Sequence, residues 1–214
     1  MPASTPIARS KTAALSRVID TIPKGYRFYC SGSVSATKAE QLANKLHERH
    51  AIGATPSQRL VRKKHGKANA LLVMYWPLGA VQVEWLMLFT AGMLDSPEHL
   101  RDVAEKHRLE WLRYELVRHP VRGTTSWTWR RSKIEMTEHY LMLDQSLAKR
   151  HHDAIDSHLA RIANQPGFNG VREQSWTLCQ YARQHGYKRD LPHIFYVQKI
   201  SHGDRLALQP AKFT

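Results

Sequence analysis

Several short stretches of this chain alternate apolar and polar residues, a pattern typical of β-strands with one buried face. The clearest example runs from Val81 to Phe89, where every second side chain is Val, Trp, Met or Phe. The turn-forming sequence Pro77-Leu-Gly-Ala80 precedes it. The same reasoning predicts further strands at residues 26–30, 59–63, 69–76, 109–117, 124–131 and 193–200.

Other stretches repeat apolar residues every three or four positions, as helices do. Thr37-Lys-Ala-Glu40 and Ser132-Lys-Ile-Glu135 match the capping box that begins a helix, and Ser96-Pro97 places proline at a first helical position. Helices are therefore predicted at about residues 15–22, 37–50, 96–107, 132–165 and 171–184. The sum predicts an α+β fold, in which a mostly antiparallel sheet of hairpins packs against several helices, with one long helix in the C-terminal half.

No internal repeat, low-complexity tract or Gly/Ser linker divides the sequence. We expect residues 1–24 to form a mobile N-terminal leader and a short helix, and residues 25–214 to form a single α+β domain. An alternative with two lobes places their division near residues 92–108. The leader has no acidic residue before Asp20, a composition that also suits a transit peptide.

Positive charge is concentrated just before a long apolar stretch that contains no Lys or Arg. Lys and Arg number 32 against 18 Asp and Glu, so the formal net charge is +14. Residues 58–67 hold five Lys or Arg and no acid, whereas residues 68–100 hold no Lys or Arg. This predicts a hairpin with a basic tip that binds the phosphates of a polyanion, unless the cations only protect a sheet edge. The candidate residues are Arg59, Arg62, Lys63, Lys64, His65 and Lys67.

A second predicted hairpin combines tryptophan and arginine. On a strand, Trp127, Trp129 and Arg131 project from one face, where aromatic rings flanked by arginine can stack unpaired bases. The alternative is that both tryptophans belong to the core and the arginines surround them. The candidate residues here are Arg113, Arg118, Arg122, Trp127, Trp129, Arg130, Arg131 and Lys133.

Two further features bear on the ligand. The glycine-containing turn at residues 166–170 precedes a helix whose first turn holds Arg172, and such helix N-termini bind phosphate. Residues 70–94 carry Glu84 as their only charge, so a membrane span is an alternative to a buried hairpin. Pro77, Gly79 and Glu84 in the middle of that run favour the hairpin.

Motifs of known chemistry are missing from the sequence. There is no Walker loop, GxGxxG, GxSxG or metal-binding pattern, so we expect no cofactor and no metal. Cys30 and Cys179 belong to no CxxC, which indicates a reducing, cytoplasmic compartment.

The sequence thus predicts a basic protein that binds DNA or RNA, in replication, transfer or RNA handling, with no named catalytic residue. Two alternatives remain. One is a metal-independent nuclease on the same surface, with His65 or His119 as general acid or base. The other is a membrane-associated protein whose basic residues face anionic lipid.

Overall fold

The computed structural model describes residues 3–121, 124–197 and 204–209. In chain order its elements are β1 (Ser4–Ala8), α1 (Lys11–Thr21), β2 (Tyr26–Ser35), α2 (Ala39–His50), α3 (Pro56–Lys64), β3 (Ala70–Tyr75), β4 (Gln82–Thr90), β5 (Arg101–Asp102), β6 (Glu110–Trp111), β7 (Tyr114–Val121), β8 (Thr124–Arg131), α4 (Lys133–Ala148), α5 (His152–Ala163), α6 (Asn169–Gln184) and β9 (Arg205–Ala207). The predicted α+β class is confirmed. The chain divides into two compact units: unit 1, residues 1–107 with 200–214, and unit 2, residues 108–199.

Unit 1 is built on a six-stranded sheet with the order β5-β2-β4-β3-β1-β9. Strands β1 and β3 are parallel, and the other neighbours are antiparallel. The central strand β3 is an unbroken apolar run because both of its faces are buried. Leu72 and Met74 on one face pack with the buried side of α2, which includes Ala43 and Leu46. Helix α1 also packs against β3.

The apolar run at residues 70–94 contains the predicted hairpin. Strand β3 pairs with β4 from Ala70 opposite Phe89 to Tyr75 opposite Glu84. Gly79 in the connecting turn has φ +73°, a left-handed conformation that glycine adopts without strain. No helix among the described residues is long and apolar enough to cross a membrane.

The prediction of a strand at residues 59–63 is wrong, because these residues lie in α3. Thr55 accepts a hydrogen bond from the Gln58 backbone N–H, and the Gln58 side chain accepts one from Thr55 N–H at 2.8 Å. Pro56 occupies the first helical position. This is a complete capping box with proline at N1, a strong signal for a helix start. The basic segment is thus an exposed helix and not a hairpin tip.

Three other predictions need correction in unit 1. Residues 96–107 form no helix, and Arg101–Asp102 instead pair with β2 at the edge of the sheet. Thr37 makes no capping contact; its hydroxyl lies 3.1 Å from that of Ser35, and α2 begins at Ala39. Within the predicted leader, Ser4–Ala8 form a strand of the sheet. The hydrogen bonds of β1 to β3 and β9 fix this segment in place.

Unit 2 combines the antiparallel sheet β6-β7-β8 with α4, α5 and α6. The second predicted hairpin forms as β7 and β8. Its first strand was predicted at residues 109–117 but runs from Tyr114 to Val121, because Leu112 and Arg113 take positive φ and make a turn between β6 and β7. Ser132 caps α4, as predicted, by accepting a hydrogen bond from the Glu135 N–H. The predicted long helix is interrupted, because Arg150 takes φ +53° and α5 starts at His152. Residues 193–197 form no strand, and residues 198–200 of that prediction lie outside the described residues.

Gly92 allows two backbone segments of unit 1 to approach closely. It has φ +138°, and a Cβ atom there would lie 2.7 Å from Ala68 N and 2.8 Å from Gly66 O. Two backbone hydrogen bonds join the segments, from Ala68 N to Met93 O and from Met93 N to Gly66 O. This contact holds the turn after α3 against the segment that follows β4.

We expect Gly92→Ala to lower the free energy of unfolding by more than Gly25→Ala, measured by urea denaturation. Gly25 also has positive φ, at +93°, but a Cβ there meets nothing within 4 Å. The control therefore reports backbone strain alone, about 1 kcal/mol. Gly92→Ala adds a collision with backbone atoms, for a total of about 3 kcal/mol or more. Equal losses in the two variants would contradict this account.

Candidate nucleic-acid interface

Part of the positive charge of the basic segment is neutralised locally. Arg62 donates a hydrogen bond to Asp95 and another to Ala68 O at 2.8 Å, and the Lys67 ammonium lies 3.1 Å from the Asp95 carboxylate. Burial raises the pKa of Asp95, but the bonds from Arg62 and Lys67 outweigh burial and hold it below its ordinary value. Arg62 and Lys67 are therefore both paired with Asp95, which follows the close backbone approach at Gly92 in the chain.

The remaining cations of this segment face solvent. Lys63, Lys64 and His65 are exposed, and their side chains form no ion pair with another described residue. Lys63 lies one turn after Arg59 on α3, so the two share a face of the helix. Lys63 and Lys64 also lie in the last turn, where positive charge interacts favourably with the helix dipole.

Arg59 belongs to a cluster of like charges that the sequence did not reveal. The pKa of Arg17, on α1, is lowered by burial and then by the positive charges of Arg205 and Arg59; Asp20 opposes this with a smaller effect. The Nε atoms of Arg17 and Arg59 are buried without a hydrogen-bond partner among the described residues. Arg17 and Arg205 lie far apart in the sequence, and no local pattern links them to α3. We name Arg17, Arg59 and Arg205 the arginine cluster.

On unit 2, the tip half of the β7–β8 hairpin carries a stacked pair. Arg118 and Trp127 are opposite each other in the ladder, and the guanidinium carbon lies 5.1 Å from the indole centroid. Arg118 is exposed and Trp127 half-buried. This pair matches the predicted platform of aromatic rings and arginine.

On the same face of β8, the next two side chains toward the C-terminus, Trp129 and Arg131, belong to the core. Trp129 is fully buried opposite Leu116, and Arg131 is 1% exposed opposite Tyr114. The platform prediction must be corrected at both positions, because buried side chains cannot reach a ligand. The hairpin fits the arrangement with one tryptophan in the core and the other at its rim.

Arg131 instead ties together three elements of unit 2. Its guanidinium donates hydrogen bonds to the carbonyls of Ile162 at 3.3 Å and Val171 at 3.1 Å, and to the Ser175 hydroxyl at 2.7 Å. The Gln165 amide oxygen accepts from Nε. Ile162 lies in the last turn of α5, where the helix dipole favours a cation. Burial lowers the pKa of Arg131, but arginine stays protonated in proteins.

Other predicted cations of unit 2 differ in their surroundings. Arg130 pairs with Glu115 at 3.0 Å, and Arg113 contacts Glu138 and, at 3.7 Å, Glu135. Lys133 is exposed at the start of α4. Arg122 lies outside the described residues.

Arg172 stacks on an aromatic ring. Its guanidinium carbon lies 3.3 Å from the Tyr196 centroid. At the N-terminus of the same helix, the Gly170 N–H already donates to the Thr128 hydroxyl at 3.2 Å. The geometry therefore supports a stacking role for Arg172 more directly than phosphate binding at the helix end.

The histidines of the nuclease alternative lie on different units. His65 is exposed after α3, whereas His119 Nε2 lies 3.2 Å from the Glu173 carboxylate. No group of three or more His, Cys, Asp or Glu in the described ranges is placed to hold a metal ion. Cys30 and Cys179 are free thiols whose pKa values are raised by burial, to about 11 for Cys30.

Two other histidines form a buried pair in unit 2. The His139 and His158 rings meet edge to face at 5.2 Å. Burial is the largest cause that lowers the pKa of each to about 4, and the positive charges of Arg131 and Arg161 add to it. The Glu135 carboxylate lies 3.9 Å from His139 Nε2, too far for a hydrogen bond. Both rings are neutral at pH 7.

Comparison with protein-family models, curated proteins and solved structures finds no match to this chain. The functional interpretation therefore depends on the geometry of its own surfaces. The predicted binding residues fall on both units: those from Arg59 to Lys67 on unit 1, and those from Arg113 to Arg172 on unit 2.

Replacing Arg131 should destabilise unit 2. Arg131→Met removes the guanidinium donor from the carbonyls of Ile162 and Val171, the Ser175 hydroxyl and the Gln165 amide oxygen in a buried site, so we expect a loss of about 2–4 kcal/mol in the free energy of unfolding. The neighbouring Arg130→Met removes an ion pair with a half-exposed arginine, which should cost about 0–1 kcal/mol. Urea denaturation measures both. A similar small loss for the two variants would show that the Arg131 network contributes little.

Acid should destabilise unit 2 through the histidine pair. The unfolded chain takes up protons on both rings below their ordinary pKa of 6.5, whereas the folded chain does so only near pH 4. The stability that the neutral histidine pair contributes is therefore fully present above about pH 6.5, and it is lost as the pH drops from about 6.5 to about 4. Urea denaturation across this range measures the slope, which His139→Gln and His158→Gln should each reduce. An unchanged slope in both variants would contradict the assignment.

Proposed function

We propose that this protein binds nucleic acid through the cationic surface of unit 1 that carries α3. The observation that supports it most is the uncompensated positive charge on and near α3: Lys63 and Lys64 are exposed without an ion pair to a described residue, and the positive charges of Arg205 and Arg59 add to burial in lowering the pKa of Arg17. Like charges brought together cost free energy in the unbound protein, since each raises the potential at the others. A polyanion removes that cost and releases its own counterions on binding.

Two simpler explanations account for only part of this charge. Edge protection of a sheet does not apply, because residues 56–64 are helical. The helix dipole accounts for Lys63 and Lys64 at the C-terminus of α3. It does not account for Arg17 and Arg205, which come from α1 and β9.

Unit 2 supports nucleic acid over anionic lipid as the polyanion. The exposed Arg118 stacks on Trp127, and Arg172 stacks on Tyr196. Guanidinium and aromatic planes of this kind also stack on bases, which lipids do not offer. We therefore propose that the ligand is DNA or RNA and that each unit carries its own groups able to contact nucleic acid.

The test is a binding titration with labelled single-stranded DNA, duplex DNA and structured RNA at several salt concentrations. The double variant Lys63→Glu with Lys64→Glu should weaken binding and flatten the plot of log affinity against log salt. The slope should fall by about 0.7–0.9 for each phosphate that the variant no longer neutralises. Arg62 is left intact, because its replacement would break the ion pair with Asp95.

The matched control is Lys24→Glu with Lys106→Glu, two exposed lysines of unit 1 whose replacement changes the net charge equally. We expect the control to retain most of the wild-type slope. Equal slopes for both double variants would remove α3 from the interface. Binding to anionic vesicles without binding to any oligonucleotide would favour the membrane alternative, and cleavage products in EDTA would favour the nuclease.

A further inference from the structure

The segment at residues 191–197 folds back against the start of α6 in unit 2. The Val197 N–H donates to Gly167 O at 3.2 Å. A Cβ atom on Gly167 would lie 2.2 Å from the Phe195 carbonyl oxygen, so only glycine permits this approach. The backbone thus places the residues around Tyr196 beside the first turns of α6.

This arrangement leaves large aromatic rings in contact with solvent. Trp176 is 54% exposed, Phe195 53% and Tyr196 66%. Trp176 follows Arg172 by one helical turn, so both lie on one face of α6. A depression of about 400 Å³ opens on this face. It is lined by Arg172, Glu173, Trp176, Pro192, His193 and Ile194.

The groups around the depression are suited to a flat, uncharged ring. Trp176 offers an exposed indole, and Arg172 is held flat on Tyr196 with its Nε buried and without an acceptor among the described residues. Glu173 also borders the space, and its carboxylate would repel a phosphate placed inside. A nucleobase carries no charge, stacks on indole and offers polar edges to His193 and Glu173.

We infer that this depression holds one unpaired base of a single-stranded nucleic acid, stacked on Trp176. The inference rests on the proposed function and narrows its ligand from nucleic acid in general to single strands. A duplex keeps its bases stacked within the helix, so it cannot fill the site without unpairing.

The experiment compares three probes: a thymidine oligonucleotide, an abasic oligonucleotide of equal length and charge, and a duplex. Trp176→Ala should weaken binding of the thymidine strand by roughly 5- to 100-fold, the usual effect of removing one base stack. It should leave the abasic strand and the duplex unchanged. Trp176→Phe keeps a ring and should recover most of the affinity.

The control Leu141→Ala removes an apolar side chain of similar exposure, 55%, from α4 of the same unit. It should bind all three probes as the wild type does. If Trp176→Ala binds the thymidine strand normally, or weakens all three probes alike, the base site is wrong while the proposed function stands. If the wild-type protein binds none of the probes at low salt, the proposed function itself fails.

Discussion

The arrangement of unit 2 depends on one buried cation. Arg131 comes from the edge strand β8 and donates to carbonyl or hydroxyl oxygens of α5 and α6, with no described carboxylate in its hydrogen-bond shell. The side chain of Gln174, on α6, accepts a hydrogen bond from the Arg131 N–H and donates one to the Arg131 carbonyl. Helix α6 therefore also pairs the backbone groups of Arg131 at the open edge of the sheet. The buried charge is tolerated because the guanidinium donors meet fixed dipoles, among them the end of α5, and because the negative charge of Glu135 favours the protonated guanidinium. The position of α6, and with it the face that carries Arg172 and Trp176, follows from this network.

The distribution of charge separates structural cations from those open to a ligand. Arg62, Lys67, Arg113 and Arg130 each contact a carboxylate of their own unit. Lys63, Lys64 and the arginine cluster form no ion pair with a described carboxylate, although Asp20 partly offsets the positive charge around Arg17, and Arg59 and Arg205 donate hydrogen bonds to Ile52 O and Ser4. A surplus of positive charge in the composition therefore overstates the available binding surface. The groups open to a ligand form a smaller set, and only part of that set was visible in the basic run at residues 58–67.

Local patterns predicted the parts of this structure in which local energetics dominate. The strand at Val81 to Phe89 and the cap at Ser132 were predicted correctly, because a strongly apolar alternating stretch and a nearby hydrogen bond set those elements, although the end of β4 is buried on both faces. The strand predicted at residues 59–63 was wrong because the apolar–polar pattern of so short a stretch is weak, whereas the capping box at Thr55 sets the helix. The break at Arg150 has no glycine or proline to mark it. The arginine cluster and the stack of Arg172 on Tyr196 join residues distant in sequence, so only tertiary structure could reveal them. The placement of Trp176 one helical turn after Arg172, in contrast, could have been predicted from the sequence.

Strand β9 gives unit 1 a discontinuous chain. It pairs with β1 from Ser4 opposite Ala207 to Pro6 opposite Arg205, and Arg9 contacts Asp204 at 2.6 Å. All of unit 2 is therefore synthesised between two neighbouring strands of one sheet. The outer edge of β1 therefore cannot pair with β9 until residues 204–207 have been synthesised, after all of unit 2. The arginine cluster is likewise incomplete until Arg205 has been added, so the last strand brings both the final edge of the sheet and the third arginine.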